Sequence, residues 1–304
     1  MILKNNIIPY QKNLWGLNNY LLDLCKLVDK DKLPKVLMLS GKKGQGKFTL
    51  VYHLLSYIFD KKNYDLESSL IKNENKILNK IEDNNISNII YFDCINKSIK
   101  IEDIRKLRID LQKSSLDNLN RFIIFDDIES LNENCVNALL KTIEEPSETN
   151  YFILINNKSR TILNTLKSRA LEIMIFLNKE NQIEIIKNII SDLCIEEIID
   201  STNTTLTPGN YLRYNKIVLD DKINIDDNLI TNIKKLLKLN KLKKNIDYQN
   251  LAIYLINQYY FCKSNSFNIN NFNEKRIKII RKIQESNKLN LNNNNLITEI
   301  EHFI

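Results

Sequence analysis

The stretch that decides the fold reads Ser40-Gly41-Lys42-Lys43-Gly44-Gln45-Gly46-Lys47-Phe48-Thr49. The chain has only five glycines in 304 residues, and three of them, Gly41, Gly44 and Gly46, lie in this stretch. Because only glycine adopts a positive φ without steric cost, a glycine-poor chain places it where the backbone turns tightly or approaches a ligand. The stretch therefore predicts a tightly folded loop with backbone amides available for binding.

An apolar run, Val36–Leu39, precedes this loop, and a helix-length apolar segment follows it. Strand, glycine loop and helix in this order, with the spacing Gly41-x-x-x-x-Gly46-Lys47, match a phosphate-binding loop. In such a loop the backbone N–H groups and the helix N-terminus bind phosphate oxygens, while the lysine reaches the terminal phosphates. We therefore expect Gly41, Gly44, Gly46 and Lys47 to form a nucleotide-binding site.

Further apolar runs predict an α/β fold with a mainly parallel sheet. Four more candidates for buried strands alternate with helical stretches: Ile89–Phe92, Phe122–Phe125, Tyr151–Ile155 and Leu171–Phe176. Such alternation is typical of a parallel sheet covered by helices. Beyond about residue 177 the apolar residues recur at helical spacing, so we expect the rest of the chain to be helical.

Composition excludes several classes of protein. No window contains the roughly 18 apolar residues of a membrane span, so we expect a cytoplasmic protein with no membrane partner. The five cysteines are odd in number and far apart, which disfavours a disulfide framework and a structural zinc. The net charge of +7 is mild, and because lysine is abundant along the whole chain, overall composition accounts for much of it without a dedicated patch for nucleic acid.

The loop departs from an active nucleotide site at the position after its lysine. That position usually carries Ser or Thr, whose hydroxyl binds Mg²⁺, but here it is Phe48, which cannot ligate a metal. Thr49 is one residue late and is rotated by roughly 100° around the helix. We keep Thr49 among the candidate nucleotide-binding residues and expect no stable metal site.

A second nucleotide element is an apolar strand that ends in acid, and Phe122–Phe125 followed by Asp126 and Asp127 supplies it. Asp126 is expected to bind Mg²⁺ through water. Asp127 stands where ATPases of this type usually have Glu, and a side chain shorter by about 1.5 Å is a poorer general base. The alternative is a strand end that turns into solvent.

The segment Asn137–Pro146 (Asn-Ala-Leu-Leu-Lys-Thr-Ile-Glu-Glu-Pro) is typical of an amphipathic helix stopped by proline. The sequence of this segment also resembles the signature of sliding-clamp loaders, the AAA+ proteins of bacterial DNA polymerase III. Upstream, Ile101–Leu107 resembles the loader segment before the second acidic motif. Downstream, Tyr151–Asn157 resembles the strand that carries the family's polar sensor, at Asn156. The resemblance covers roughly residues 8 to 215.

Two later segments extend this resemblance. Thr165–Ala170 resembles the Ser-Arg-Cys motif, whose arginine enters the ATP site of the neighbouring subunit. The resemblance therefore makes Ser168 and Arg169 the candidate catalytic residues, with Arg169 as an arginine finger acting in trans. For Arg169 the alternative is a surface or salt-bridged arginine. Thr207–Arg213 resembles, more weakly, the lid segment that often reads Ser-Pro-Gly-Arg-Ala-Leu.

A degenerate ATP site beside an intact Ser168–Arg169 resembles the delta-prime class of loader subunits, the stationary members of the complex. The resemblance implies an AAA+ domain over 1–176, a small helical lid over 177–217 and a helical collar domain for oligomerisation over 218–304. It also implies a non-catalytic subunit of the DNA polymerase III holoenzyme. ATP and Mg²⁺ are expected to bind weakly or not at all, and no cofactor or zinc is required.

The partners implied by the resemblance are the gamma/tau motor subunits, the delta subunit, the sliding clamp and primed DNA, in a hetero-oligomer. Three other functions stay open. An active AAA+ ATPase, such as a motor subunit, conflicts with Phe48 and Asp127. A phosphate-loop nucleotide kinase leaves the long helical tail unexplained. A sequence-specific DNA binder lacks a recognisable helix-turn-helix or zinc spacing.

Overall fold

The computed structural model describes residues 12–77, 88–95, 99–112, 120–202, 204–263, 269–288, 296–298 and 300–301. No helix in these ranges is long and apolar enough to cross a membrane. The chain divides into two compact units: the first runs to Cys194 and includes Thr205–Asn210, and the second comprises Ile195–Thr204 and the chain from Tyr211. The predicted three-part division at residues 176 and 217 stays a prediction.

The first unit is built on a five-stranded parallel sheet. The strands within the described ranges are β1 (Val36–Ser40), β2 (Tyr64–Asp65), β3 (Leu70–Ile71), β4 (Ile89–Asp93), β5 (Arg121–Asp126), β6 (Asn150–Asn156) and β7 (Leu171–Met174). The large sheet has the order β4-β5-β6-β1-β7, and each neighbouring pair is parallel. The short strands β2 and β3 form a separate antiparallel pair. The predicted parallel α/β sheet is confirmed.

The last strand is shorter than its apolar run predicts. Strand β7 ends at Met174, whereas the sequence predicted a strand that continues to Phe176. Met174 pairs with Ser40, the last residue of β1, so no partner strand is present for the residues that follow. The amide of Ile175 makes a final hydrogen bond to the Ser40 carbonyl (2.7 Å), and the chain then leaves the sheet.

Helices cover the sheet of the first unit: α1 (Asn18–Asp29), α2 (Lys47–Phe59), α3 (Ile101–Gln112), α4 (Glu133–Ile143), α5 (Asn164–Lys167) and α6 (Lys179–Leu193). Asparagine side chains cap two of them. Asn132 accepts a hydrogen bond from the Cys135 amide before α4, and Asn178 accepts one from the Asn181 amide before α6.

The main core lies between the sheet and the helices α3, α4 and α5. It contains buried apolar side chains from these elements, among them Met38, Phe125, Phe152, Leu107, Leu139, Ile143 and Leu166. Burying such side chains contributes roughly 1.5–3 kcal/mol each. Because the strands are parallel, this packing fixes the carboxyl ends of β1, β5 and β6 at one edge of the sheet, where the candidate residues lie.

The second unit is helical, as the sequence predicted. It contains most of α7 (Pro208–Asp220) together with α8 (Leu229–Lys243), α9 (Asp247–Lys263) and α10 (Ile269–Lys288). The last three share a core that includes Ile233, Leu237, Ile256, Tyr260, Ile279 and Ile283. Near the end of the chain, residues 296–298 and 300–301 are helical.

Candidate functional site

The glycine loop joins the end of β1 directly to the start of α2. Gly44 and Gly46 adopt left-handed backbone conformations, with φ of +84° and +81°, and Gly46 precedes the first turn of α2. Gly41 needs glycine for space, because a Cβ atom there would lie 2.5 Å from the Ile175 carbonyl oxygen. The amide of Gly41 donates to the carbonyl of Asn156 (3.1 Å). The loop therefore has the strand–loop–helix form that its sequence predicts.

The lysine of the motif is turned into its own loop. Lys47 is only 3% exposed, and its Nζ donates to the carbonyl oxygens of Gly41 and Lys42, each at 2.8 Å. Burial lowers the pKa of Lys47 to about 8, although the nearby carboxylates of Asp126 and Asp127 act in the opposite direction. The Lys47 ammonium, which would bind a phosphate, is thus engaged by loop carbonyls.

Thr207 and the first residues of α7 contact the loop. Thr207 Oγ1 donates to the Lys43 carbonyl (2.6 Å), and the Gly209 amide donates to the Gly44 carbonyl (2.8 Å). A Cβ atom on Gly44 would lie 2.8 Å from the amide nitrogen of Asn210. The lid-like segment predicted at residues 207–213 therefore begins in direct contact with the phosphate loop.

Phe48 occupies the position after the loop lysine, where a phosphate-binding loop usually carries a magnesium ligand. Its half-buried ring lies edge-on to the ring of Tyr91, with centroids 5.3 Å apart, and the Tyr91 hydroxyl donates to Asp126 Oδ2 (3.3 Å). Thr49 is the next residue of α2 and is half-buried, and no hydrogen bond in the described ranges joins it to the acidic pair. The aromatic pair leaves no oxygen ligand at the usual position.

Asp126 and Asp127 follow each other at the carboxyl end of β5. Asp126 Oδ1 accepts the amide of Asp127 (3.0 Å), and Asp127 adopts a left-handed conformation with φ of +55°. Burial, followed by the charge of Asp127, raises the pKa of Asp126 to about 6. Burial also raises the pKa of Asp127, which is 5% exposed, although Lys43 at 3.7 Å opposes the rise.

The two asparagines at the end of β6 have different partners. Asn156, the predicted polar sensor, donates from Nδ2 to Ser40 Oγ (3.0 Å). Ser40 is the last residue of β1, directly before the glycine loop. Asn157 donates from Nδ2 to Asp127 Oδ1 (2.8 Å) and, more weakly, to Asp126 Oδ1 (3.5 Å). The side chain that reaches the acidic pair is therefore Asn157, which the sequence analysis did not identify.

A buried glutamate missed by the sequence analysis supports this arrangement. Glu129 is 6% exposed and accepts hydrogen bonds from the amide of Asn157 and from both the amide and the hydroxyl of Ser159. These bonds fix the chain just after β6. Sequence gave no signal for Glu129, because its partners lie 28 and 30 residues away and no motif links them.

Arg169 and Ser168 lie at the end of α5, in a different set of contacts. Ser168 Oγ donates to the Thr165 carbonyl (3.1 Å). The same carbonyl accepts Arg169 Nη1 (3.0 Å), while Nη2 lies 2.6 Å from Glu144 Oε1. The Arg169 side chain is 36% exposed. None of the contacts described connects Arg169 with the loop residues, so the structure brings the loop and acidic residues together and leaves Ser168 and Arg169 outside that cluster.

Three residues of the expected Mg²⁺–ATP site have partners within the protein. Phe48 offers no ligand, the Lys47 ammonium is bound to loop carbonyls, and Asp127 is held by Asn157. No group of three or more His, Cys, Asp or Glu residues suited to a metal ion occurs in the described ranges. The five cysteines are free thiols.

Comparison with known proteins identifies relatives of this chain. Residues 17–179 match the family model described as DNA polymerase III, delta subunit. The delta' subunit of Buchnera aphidicola subsp. Baizongia pistaciae is 34% identical over 93 residues, covering 30% of this chain and 28% of that protein. The delta' subunit of Bacillus subtilis is 27% identical over 143 residues, covering 47% of this chain and 42% of that protein. The alignments thus span less than half the length of these relatives.

A gamma subunit and a solved structure are similar as well. The DNA polymerase III gamma subunit of Buchnera aphidicola subsp. Schizaphis graminum is 27% identical over 161 residues, or 52% of this chain and 43% of that protein. The crystal structure of a gamma subunit-related protein from Thermotoga maritima superposes with a TM-score of 0.50 at 17% identity. It covers 92% of this chain and 96% of that chain. This likeness supports the AAA+ fold. Because the family model spans more than half of its 304 residues, the chain belongs to the DNA polymerase III delta subunit family, with delta'-type relatives.

Proposed function

We propose that this chain is a stationary, delta-prime-type subunit of the bacterial DNA polymerase III clamp loader. In this role it closes one end of an arc of subunits that opens the sliding clamp and places it on primed DNA. It supplies Arg169 to the ATP site of an adjacent motor subunit and hydrolyses little ATP itself. The names of its relatives, delta' and gamma, support a place in this machinery.

The proposal rests on the contrast between the chain's own glycine loop and Arg169. The chain's own loop uses the Lys47 ammonium and the Lys43 and Gly44 carbonyls for internal hydrogen bonds. Arg169, by comparison, is partly exposed just after the short helix α5, which Leu166 anchors in the core. Because an arginine keeps its charge and can engage two phosphate oxygens together, a partly exposed Arg169 suits a site on another subunit.

The remaining assignments follow from this role. The AAA+ domain spans residues 1–176, the lid 177–217 and the collar 218–304, and the collar holds the subunit in its hetero-oligomer. The partners are gamma/tau motor subunits, the delta subunit, the sliding clamp and primed DNA in the cytoplasm. The helical core shared by α8, α9 and α10 supports the collar assignment.

The decisive experiment compares reconstituted loaders that carry the wild-type chain or Arg169→Ala. An arginine supplied by a partner raises turnover roughly 10³- to 10⁵-fold in GTPases, so we expect the motor site facing this chain to lose most of its activity. ATP hydrolysis and clamp loading on primed DNA are measured together. Lys167→Ala is the matched control, because Lys167 is an exposed cation two residues away, at the end of α5.

Two results would contradict this function. An assembled Arg169→Ala complex that loads clamps at the wild-type rate makes Arg169 a surface arginine. Robust Mg²⁺-dependent hydrolysis by the isolated chain, abolished by Lys47→Ala, favours an active motor subunit instead. Gel filtration of each complex must show intact assembly, because a lost interface would also lower the rate.

A further inference from the structure

Arg169 makes its ion pair with the first glutamate of the Asn137–Pro146 signature. Glu144 is the C-terminal capping residue of α4, and its Oε1 lies 2.6 Å from Arg169 Nη2. On the other side, Nη1 donates to the Thr165 carbonyl at 3.0 Å. One contact on each terminal nitrogen fixes the plane of the guanidinium as well as its position.

The location of Glu144 is electrostatically unusual. A carboxylate at a helix C-terminus faces the negative end of the helix dipole, which disfavours it. Arg169 offsets this cost. The adjacent Glu145 is exposed, and no ion pair is described for it within the ranges that the structure covers. Of the two neighbouring acids, only Glu144 is therefore placed to act on Arg169.

The segments that carry Glu144 and Arg169 are both anchored by buried side chains. Ile143, one residue before Glu144, is 3% exposed, and Leu166, three residues before Arg169, is 1% exposed. The two side chains belong to the same core cluster. The backbone positions that carry Glu144 and Arg169 are therefore held by one packed core.

We propose that Glu144 is a positioning residue that holds Arg169 ready for a phosphate group on a neighbouring subunit, an inference that rests on the proposed function. A guanidinium has five N–H donors, and among the described residues Glu144 and Thr165 engage two of them. The other three remain to bind phosphate oxygens. Fixing the side chain beforehand removes rotamer entropy that binding would otherwise cost, and it prevents misplacement of the charge.

The test uses a reconstituted loader in which only the motor subunit facing this chain can hydrolyse ATP. In Glu144→Ala we expect kcat to fall about tenfold, short of the roughly hundredfold cost of a 1 Å misplacement, with the KM for ATP unchanged. Glu144→Gln keeps an acceptor oxygen beside Nη2 and should restore most of the rate. Glu145→Ala is the matched control and should behave like wild type.

Including Arg169→Ala separates the failure of this inference from the failure of the proposed function. If Arg169→Ala is as active as wild type, the proposed function fails. If Arg169→Ala is impaired while Glu144→Ala is as fast as wild type or faster, Glu144 does not position the arginine and the function stands. Equal losses in Glu144→Ala and Glu144→Gln, or loss of assembly in Glu144→Ala, would also overturn the inference.

Discussion

Replacement of the buried loop lysine by an apolar residue of similar length, Lys47→Met, is expected to stabilise the first unit at pH 7. The fall in the pKa of Lys47 from 10.5 to about 8 corresponds to about 3 kcal/mol of unfavourable free energy for the buried ammonium. The variant loses two hydrogen bonds to carbonyls, at about 1 kcal/mol each. The expected net gain is about 1 kcal/mol in the free energy of unfolding.

Urea unfolding followed by tryptophan fluorescence measures this change. Trp15 is the only tryptophan in the chain and lies in the same unit as Lys47. Lys42→Met is the matched control, since Lys42 is an exposed lysine of the same loop and its replacement should leave the stability almost unchanged. A loss of 1 kcal/mol or more in Lys47→Met would refute the reasoning, because the carbonyl contacts would then outweigh the cost of burial.

The pH dependence provides a second check on Lys47. Between about pH 8 and pH 10.5 the unfolded chain binds a proton at Lys47 that the folded chain does not, so the stability of the wild type rises through this range. Lys47→Met lacks that rise. Its advantage at pH 7 should therefore shrink and then reverse by about pH 10. A difference between the two proteins that stays constant over this range would show that burial does not govern the lysine.

Two further predictions concern the supports of the loop. Gly44→Ala should lower the free energy of unfolding by about 1–3 kcal/mol, because alanine is strained at φ +84° and its Cβ would press on the Asn210 amide; wild-type stability in urea would contradict this. Glu129→Ala should cost about 2 kcal/mol, because the amides of Asn157 and Ser159 lose the charged acceptor of their hydrogen bonds. Exposed Glu133→Ala is its control, and equal unfolding midpoints for the two variants would argue against that role.

Much of the first unit could be predicted from sequence because its signals are local. Apolar runs such as Phe122–Phe125 are long enough to mark buried strands, and the clustered glycines mark the loop after β1. The short pair β2 and β3 was missed, since two-residue strands carry no periodic pattern. The end of β7 was misplaced for a different reason, because it depends on where its partner β1 stops.

The roles of the two asparagines could not be read from sequence, because they depend on strand register. Asn156 of β6 is the register partner of Ser40 of β1, so its side chain lies on the same face of the sheet as that of Ser40, the residue before Gly41. Ile155 is the register partner of Asp126. Because side chains two residues apart share a face of the sheet, Asn157 lies on the same face as Asp126. A change of one residue in register would exchange the two roles.

Retention of the glycine motif does not require that this chain hydrolyse ATP. Gly41 gives room to the Ile175 carbonyl, Gly44 to Thr207 and the start of α7, and Lys47 binds two carbonyls of the loop. Each of these residues therefore has a structural reason to be present. Magnesium chemistry depends on a different position, which Phe48 occupies with its ring against Tyr91. Because packing and hydrolysis rely on separate residues of one loop, the motif can remain while the hydrolytic ligand is absent.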